Sequence, residues 1–340
     1  MPELRKDPII GRWVIIATDR SRRPSEYNVT PAEVGDPARN PFAEGNEKLT
    51  PPEIFAFRDP HSQPNGPGWQ VRVVPNKFPA LRIEGELEKE GQGMYDKMNG
   101  VGAHEVIIET PNPSLMLEQQ PLEGIARVLE TYKIRMADLL QDSRLRYTLI
   151  FKNHGRQAGA TLAHPHSQLI ATPVTPKRVK EKLAGALEYF TYKDRSIFED
   201  ILKQELREGT RLVYENAGFV AFCPFASRFP FEVMILPRRQ AAYYHEIHAD
   251  EILQLADVLR VTLLKLNQAL NQPQYNYILH TAPARYQRHG HWTTIDHDYR
   301  WHLEILPRLG LIAGFEVGSG FYINPTPPED AAKYLREIPV

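Results

Sequence analysis

The 340-residue chain has a single cysteine, Cys223, so it can form no internal disulfide and no zinc site built from several thiolates. No apolar run approaches the roughly 18 uninterrupted residues that suggest a membrane-spanning helix. The opening residues, Met1-Pro2-Glu3-Leu4-Arg5-Lys6-Asp7, lack an apolar signal core, so the expected location is cytoplasmic. An excess of one charge is also missing: 41 Lys and Arg stand against 42 Asp and Glu, a formal net charge of −1. That balance excludes a global field that would recruit nucleic acid or an acidic membrane. It leaves room for a small anionic substrate held by a few local arginines. Hydrophobic residues at 42% and charged residues at 24% are ordinary for a chain with a real core. The length suits two domains.

Prolines are plentiful and crowd the segment from Pro24 to Pro79, which predicts long surface loops between short strands. Trp13 to Ala17, Gln70 to Val74 and Glu105 to Glu109 read as strands. From Pro121 the apolar period becomes helical, through Leu122, Ile125, Val128, Leu129, Tyr132, Met136 and Leu139. Strands follow at Tyr147 to Lys152 and His166 to Ala171. The order then recurs, with strands at Phe219 to Cys223 and Phe231 to Leu236. A helix marked by Ile252, Leu255, Leu259, Leu263 and Leu266 comes next, then strands at Tyr275 to His280 and Trp301 to Leu306. Local echoes support the repeat: His104-Glu105-Val106 resembles Phe231-Glu232-Val233, and His164-Pro165-His166 has a counterpart in His302-Leu303-Glu304. The expectation is an α+β fold made by duplicating a strand–strand–helix–strand–strand unit, with halves at residues 1–185 and 186–340.

The chemistry concentrates in one string, Asn153 to Gln168. Alternation along a strand puts His164, His166 and Gln168 on one face, just after a loop containing Gly155 and Gly159. Glycines let backbone N–H groups approach an anion. A neutral imidazole is nucleophilic near pH 7 and can accept a nucleotidyl group on nitrogen. Gln168 can donate to a phosphoryl oxygen without adding the positive charge that would trap an intermediate. Pro165 stiffens the backbone between the two histidines.

These residues resemble the galactose-1-phosphate uridylyltransferases, the duplicated branch of the histidine-triad superfamily. In that family the run is His-Pro-His, then Gly or Ser, then Gln; here it is His164-Pro165-His166-Ser167-Gln168. The likeness spans nearly the whole chain, from Asp7-Pro8-Ile9-Ile10-Gly11-Arg12-Trp13-Val14 to Ala313-Gly314-Phe315-Glu316-Val317-Gly318-Ser319-Gly320-Phe321-Tyr322-Ile323-Asn324-Pro325. It implies two tandem histidine-triad-like halves, each a mostly antiparallel sheet with packed helices. His166 would be the nucleophile, its other ring nitrogen held by a backbone carbonyl, and Gln168 would steady the phosphoryl oxygens. Arg20 and Arg23 match an arginine pair that meets substrate phosphates. Asn76 and Phe78 match the nucleoside pocket, and Asn153, Gly159 and Thr161 the nucleotide loop. Phe315 and Glu316 match a sugar-binding tail that, in the family, reaches the partner subunit, so a homodimer is expected.

The chain departs from the family where metals sit. Asn40 and Ala43 stand where a Cys-x-x-Cys pair would be, and Pro113 where a third ligand would be; only His164 remains. No zinc is expected there. In the second half His280, His302, Glu304 and Glu181 approximate a glutamate-and-histidine metal site that would hold zinc or iron weakly. Glu304 replaces the second half's equivalent of His166, so only the first half should be catalytic. Three functions follow as expectations: uridylyl transfer from UDP-glucose to galactose 1-phosphate, adenylyl transfer from ADP-glucose to phosphate, or a catalytically silent nucleotide-binding module. The partners implied are a nucleoside-diphosphate sugar and a sugar phosphate. His289, His291 and His297 fall in a polar loop with Arg285, Arg288 and Arg300, for which an exposed, mobile loop is the expectation.

Overall fold

The computed structural model describes residues 1–20, 23–27, 29–32, 40–285 and 292–340. A hairpin of β1 (Glu3–Lys6) and β2 (Trp13–Ile16) opens the chain. Then come β3 (Phe55–Arg58), β4 (Trp69–Pro75), an exposed hairpin of β5 (Glu90–Gln92) and β6 (Tyr95–Lys97), and β7 (Ala103–Ile108). Helix α1 (Leu122–Leu139) starts directly after Pro121, whose fixed φ suits a helix entrance. β8 (Tyr147–His154) and β9 (His166–Thr172) complete the first half. α2 (Lys177–Lys193) and α3 (Ile197–Glu208) lead to β10 (Leu212–Glu215), β11 (Phe219–Phe222), β12 (Val233–Pro237) and α4 (Ala249–Leu270). β13 (Tyr275–His280), the short α5 (Ile295–Asp298) and β14 (His302–Pro307) follow. The chain ends with α6 (Gly314–Ser319), β15 (Tyr322–Asn324), which joins β2 in parallel, and α7 (Pro328–Glu337).

Ten strands form one antiparallel sheet in the order β10-β11-β12-β14-β13-β8-β9-β7-β4-β3. Read outward from the centre, each half runs through the same five positions, so β8 and β13 meet across a pseudo-twofold axis. The duplication is therefore visible in the topology. Each half supplies three strands before its helix, not two. The extra ones, β3 and β10, are four-residue strands at the sheet's outer edges, each ending in a charged residue.

The pairing register also corrects one echo. Ile108 lies opposite His166, and Met234 lies opposite Glu304. Ile108 and Met234 are thus equivalent, as are Pro111 and Pro237, so the match of Glu105 with Glu232 is one residue out. A one-residue slip exchanges the two faces of a strand, so this decides which residues point at the site. Phe231 lies before β12 with a positive φ of 59°. α2 runs through the boundary expected at residue 185, and its Val179, Leu183 and Ala186 pack with Phe222, Leu236 and Tyr299 of the second half.

One face of the sheet is closed by α1 and α4 over Val73, Ile107, Ile150, Leu169, Leu279, Leu303 and Ile305. Each such side chain contributes about 1.5–3 kcal/mol by leaving water. The opposite face is covered unevenly. α2 and α3 close the second half, whereas the proline-rich loop around Phe42 closes the outer first half over Trp69, Val74, Val106 and Ile108. Between them Leu149, Phe151, Asn153, Gln168 and Ile278 are only half-buried. This strip of uncovered sheet carries the candidate site.

Candidate functional site

β9 begins at His166, and alternation sends His166 and Gln168 to the uncovered face while Ser167 and Leu169 point to the helices. The His166 ring is buried, and its Nδ1 lies 2.7 Å from the carbonyl oxygen of His164. A carbonyl only accepts, so Nδ1 carries the proton and the lone pair sits on Nε2. Burial pushes the imidazole down to about 4, against the His164 carbonyl, with Lys152 adding to the fall. The ring is therefore neutral at pH 7.

His164 precedes the strand and is held on both sides. Its Nε2 is 2.7 Å from the Thr110 carbonyl oxygen, so Nδ1 accepts from the Asn40 amide, also at 2.7 Å. Phe42 sets its ring edge-on to both histidines, with centroids 6.1 and 5.3 Å away. A hydrogen bond from Asn40 and the packed Phe42 ring thus hold His164 in place. Beneath the strand, on the helix side, the Lys152 ammonium donates to Glu109 and to the His166 carbonyl at 3.3 Å. Tyr132 donates to Ser167 at 2.7 Å. These buried bonds tie down the backbone that carries His166.

Two amides flank His166 on the open face. The Gln168 Oε1 is 2.8 Å from His104 Nε2, and Asn153 Oδ1 accepts from Asn276 Nδ2 at 2.7 Å. His104 also lies 3.1 Å from Asn76 Nδ2, and Asn76 Oδ1 accepts from the Phe78 backbone N–H. His104, Asn76, Gln168 and His166 therefore form one neighbourhood, with the Phe78 ring 84% exposed at its rim. The loop after Asn153 turns through Gly155 and Gly159, at φ 84° and 90°, where a side chain would be strained. A Cβ on Gly155 would also meet the Gln274 side chain at 2.4 Å. Thr161 is exposed beyond that loop.

The remaining expected residues belong to other elements. The Arg20 side chain lies outside the described residues. Arg23 is exposed ahead of a short turn that packs toward α4, and its backbone N–H donates to Glu26. Phe315 and Glu316 lie on α6. Glu316 borders a cavity of about 290 Å³ with Tyr27, Arg228, Phe229 and Tyr322. Among the described residues no hydrogen bond or ring contact joins Arg23, Phe315 or Glu316 to His166 or Gln168. A larger cavity of about 700 Å³ lies at the far end of β9, by Pro173, Val174, Arg146 and Trp292, and contains no expected site residue.

In the C-terminal polar loop one described residue, Arg300, departs from the expected exposure. His289, His291 and Arg288 lie outside the described residues, and His297 is exposed on α5. Arg300 is buried, donating to Glu199, Gln240 and the Pro237 carbonyl. Arg285 pairs with Glu246 and Asp296 over the Tyr243 ring.

The second-half metal candidates converge, with ligand atoms of His280, His302 and Glu304 within 4.8 Å of one another. Glu181 does not join them. It is half-exposed and pairs with Lys177 at 3.8 Å, because the next residue on α2, Lys182, takes the inward face. The Lys182 Nζ is 2.6 Å from both His302 Nε2 and Glu304 Oε1, and Arg228 donates to the other Glu304 oxygen at 2.7 Å. Burial would raise the Glu304 carboxyl, but Lys182 and Arg228 outweigh it and hold it well below its usual range. With an ammonium at its centre this donor set does not fit a divalent cation.

Sequence reading missed His104, Asn276 and Lys182. Each matters through a partner brought in by sheet pairing or helix packing, and none belongs to a local motif.

Comparison with known proteins places these residues in context. Residues 1–176 match the model of the galactose-1-phosphate uridyl transferase N-terminal domain, and residues 183–339 that of its C-terminal domain. An ADP-glucose phosphorylase of Arabidopsis thaliana is 35% identical over 99% of this chain and 93% of its own. A galactose-1-phosphate uridylyltransferase of Thermotoga maritima is 29% identical over 100% and 99%. The crystal structure of the Arabidopsis ADP-glucose phosphorylase with bound ADP-glucose superposes with a TM-score of 0.83 at 34% identity, covering both chains completely. A solved uridylyltransferase gives 0.75 at 26% identity, covering 99% of this chain and 97% of its own. A whole-chain match, together with a neutral histidine flanked by two amides, makes the chain a nucleotidyltransferase of the galactose-1-phosphate uridyl transferase family.

Proposed function

We propose that the chain transfers a nucleotidyl group between phosphate acceptors through a covalent bond to His166 Nε2. The observation that carries this reading is the Nδ1–carbonyl hydrogen bond, which leaves the Nε2 lone pair on the open face beside Gln168. In the first step Nε2 attacks the α-phosphorus of a nucleoside-diphosphate hexose. A nitrogen–phosphorus bond forms, the bond to the bridging oxygen breaks, and hexose 1-phosphate leaves with that electron pair. In the second step an acceptor phosphate oxygen attacks the same phosphorus and releases neutral His166. Gln168 and Asn153 donate to the non-bridging oxygens as charge develops. Asn76 and Phe78 receive the nucleoside, and Gly159 and Thr161 line the phosphate loop.

Similarity weighs toward ADP-glucose as donor and phosphate as acceptor, because the 35% identical relative is an ADP-glucose phosphorylase. Uridylyl transfer from UDP-glucose to galactose 1-phosphate is the second reading, favoured by the family model and the Thermotoga relative. Phe315 and Glu316 would contact the hexose from a second copy of the chain in a homodimer, with Arg20 and Arg23 meeting its phosphates. Among the described residues no hydrogen bond or ring contact joins Phe315 or Glu316 to His166 within one chain, which supports that arrangement.

The test is intact-chain mass after incubation with each donor and no acceptor. An adenylyl or uridylyl adduct absent from His166→Ala identifies both the nucleophile and the base. No adduct from either donor would sink the covalent reading.

A further inference from the structure

Amide side chains have two ends of opposite character, so an anion site built from Gln168 and Asn153 works only if both NH2 groups face the cleft. Nothing in either residue decides this by itself. Their neighbours do.

The backbone N–H of Ala80 points at His104 Nδ1 at 3.2 Å, so Nδ1 accepts and the proton sits on Nε2. That Nε2–H then donates to Gln168 Oε1 at 2.8 Å, while Asn76 Nδ2, 3.1 Å from the same nitrogen, is itself a donor and makes no hydrogen bond to it. Ile170, not Gln168, lies opposite His104 in the ladder, so the contact is diagonal between β7 and β9. At the other amide, Asn276 is oriented from both sides. Arg308, which can only donate, donates its Nε–H to Asn276 Oδ1. The Ala158 carbonyl, which can only accept, receives Asn276 Nδ2 at 2.8 Å. The same Nδ2 donates to Asn153 Oδ1. Both catalytic-face amides thus have their oxygens engaged, and among the described residues neither NH2 group has a side-chain or backbone acceptor.

The geometry points to His104 and Asn276 as positioning residues that turn the amides of Gln168 and Asn153 NH2-outward, making a paired donor for the phosphoryl oxygens. The inference rests on the nucleotidyl-transfer reading and deepens it. His104 links the Asn76–Ala80 segment, where the nucleoside is expected, to the phosphate donor. Asn276 and Arg308 come from the second half, which thereby takes part in the chemistry of the first without supplying a group that touches the reacting atoms.

The experiment has two readouts. The first is the single-turnover rate of adduct formation on His166 and the donor KM, measured for His104→Leu, His104→Gln and Asn276→Asp. His104→Leu removes the donor, and the rate should fall on the order of ten- to a hundredfold, with a smaller change in KM. Gln places an amide N–H near the lost Nε2 and should restore most of the rate. Asn276→Asp offers only acceptors, inviting Asn153 to turn its NH2 inward, and should slow the step. In a Gln168→Ala background His104→Leu should have no further effect. The second readout is the side-chain NH2 resonance of Gln168 in 15N spectra of the free protein, assigned by its loss in Gln168→Ala. It should move in His104→Leu and return toward its original position in His104→Gln. An unmoved resonance, or additive losses in the double variant, would overturn the inference. A wild-type chain that forms no adduct would sink the function instead, and the spectra would still judge the amide orientation.

Discussion

The two halves share a fold, a strand order and a register, yet they treat the equivalent surface in opposite ways. His166 and Glu304 occupy matching places on β9 and β14, Gln168 matches Leu306, and Asn153 matches Ile278. In the first half that face carries a neutral imidazole and two amides, left half-open. In the second half it carries Glu304 locked between Lys182 and Arg228, with α2 and α3 packed over it. Neutral, outward-facing donors suit a transferred anion that must arrive and leave. Fully paired buried charges suit permanence. The same scaffold supports either outcome, and a few side chains choose.

The sharpest way to break this comparison is at the matched pair itself. His166→Ala should abolish covalent adduct and lower turnover by at least about a thousandfold, since no other group replaces a nucleophile. Intact-chain mass and steady-state assays check this. Glu304→Ala should leave the adduct chemistry of folded protein intact while destabilising the chain by about 3–5 kcal/mol, because Lys182 loses its carboxylate in the interior. Urea unfolding gives that number. Loss of adduct in stably folded Glu304→Ala protein would mean that the second half is more than a support.

Smaller effects sharpen the contrast. Asn40→Ala removes the amide that bonds His164 Nδ1 and should cost about 1–3 kcal/mol, with activity reduced through a looser nucleophile strand. Lys182→Ala empties the centre of the His280, His302 and Glu304 group. The variant should bind zinc in equilibrium dialysis where the wild type does not, and equal uptake by both would contradict the reading that the ammonium excludes metal. Acid should act on both halves alike. His154, His164, His166 and His280 are each depressed to about 4 by burial. A histidine depressed on folding is protonated first in the unfolded chain. Its contribution is complete above about pH 6.5 and is lost as the pH falls toward 4. Unfolding midpoints measured across that window should therefore drop steadily, and a flat profile would show that these rings are not held neutral.

Much of this was legible from local patterns. The alternation at His166, Ser167 and Gln168 specified which residues share a face, and Pro121 with the following apolar period placed α1 to within a residue. The glycine loop was legible because positive φ restricts residue type at Gly155 and Gly159. The edge strands β3 and β10 were not, since each ends in a charged residue, whereas the equally short β2 and β11 are apolar throughout. Glu181 was offered as a metal ligand where Lys182 faces inward; adjacent helical positions differ by about 100° in direction, and only packing decides which one enters the core. His104 reads in sequence as one histidine at a strand start. Its role exists only because β7 pairs with β9 in a register that brings it to Gln168.

The sequence by itself determined the unit that repeats, the candidate string around His166, and the lack of paired thiolates, because each depends on residue identity at short, fixed spacings. The tertiary structure decided which end of each amide faces the cleft, and that an ammonium fills the second half's cation position. It also decided that the second half steadies the first through Arg308, Asn276 and Asn153. Those outcomes depend on hydrogen-bond partners far apart in the chain, and a donor's direction is set by whatever acceptor folding places beside it.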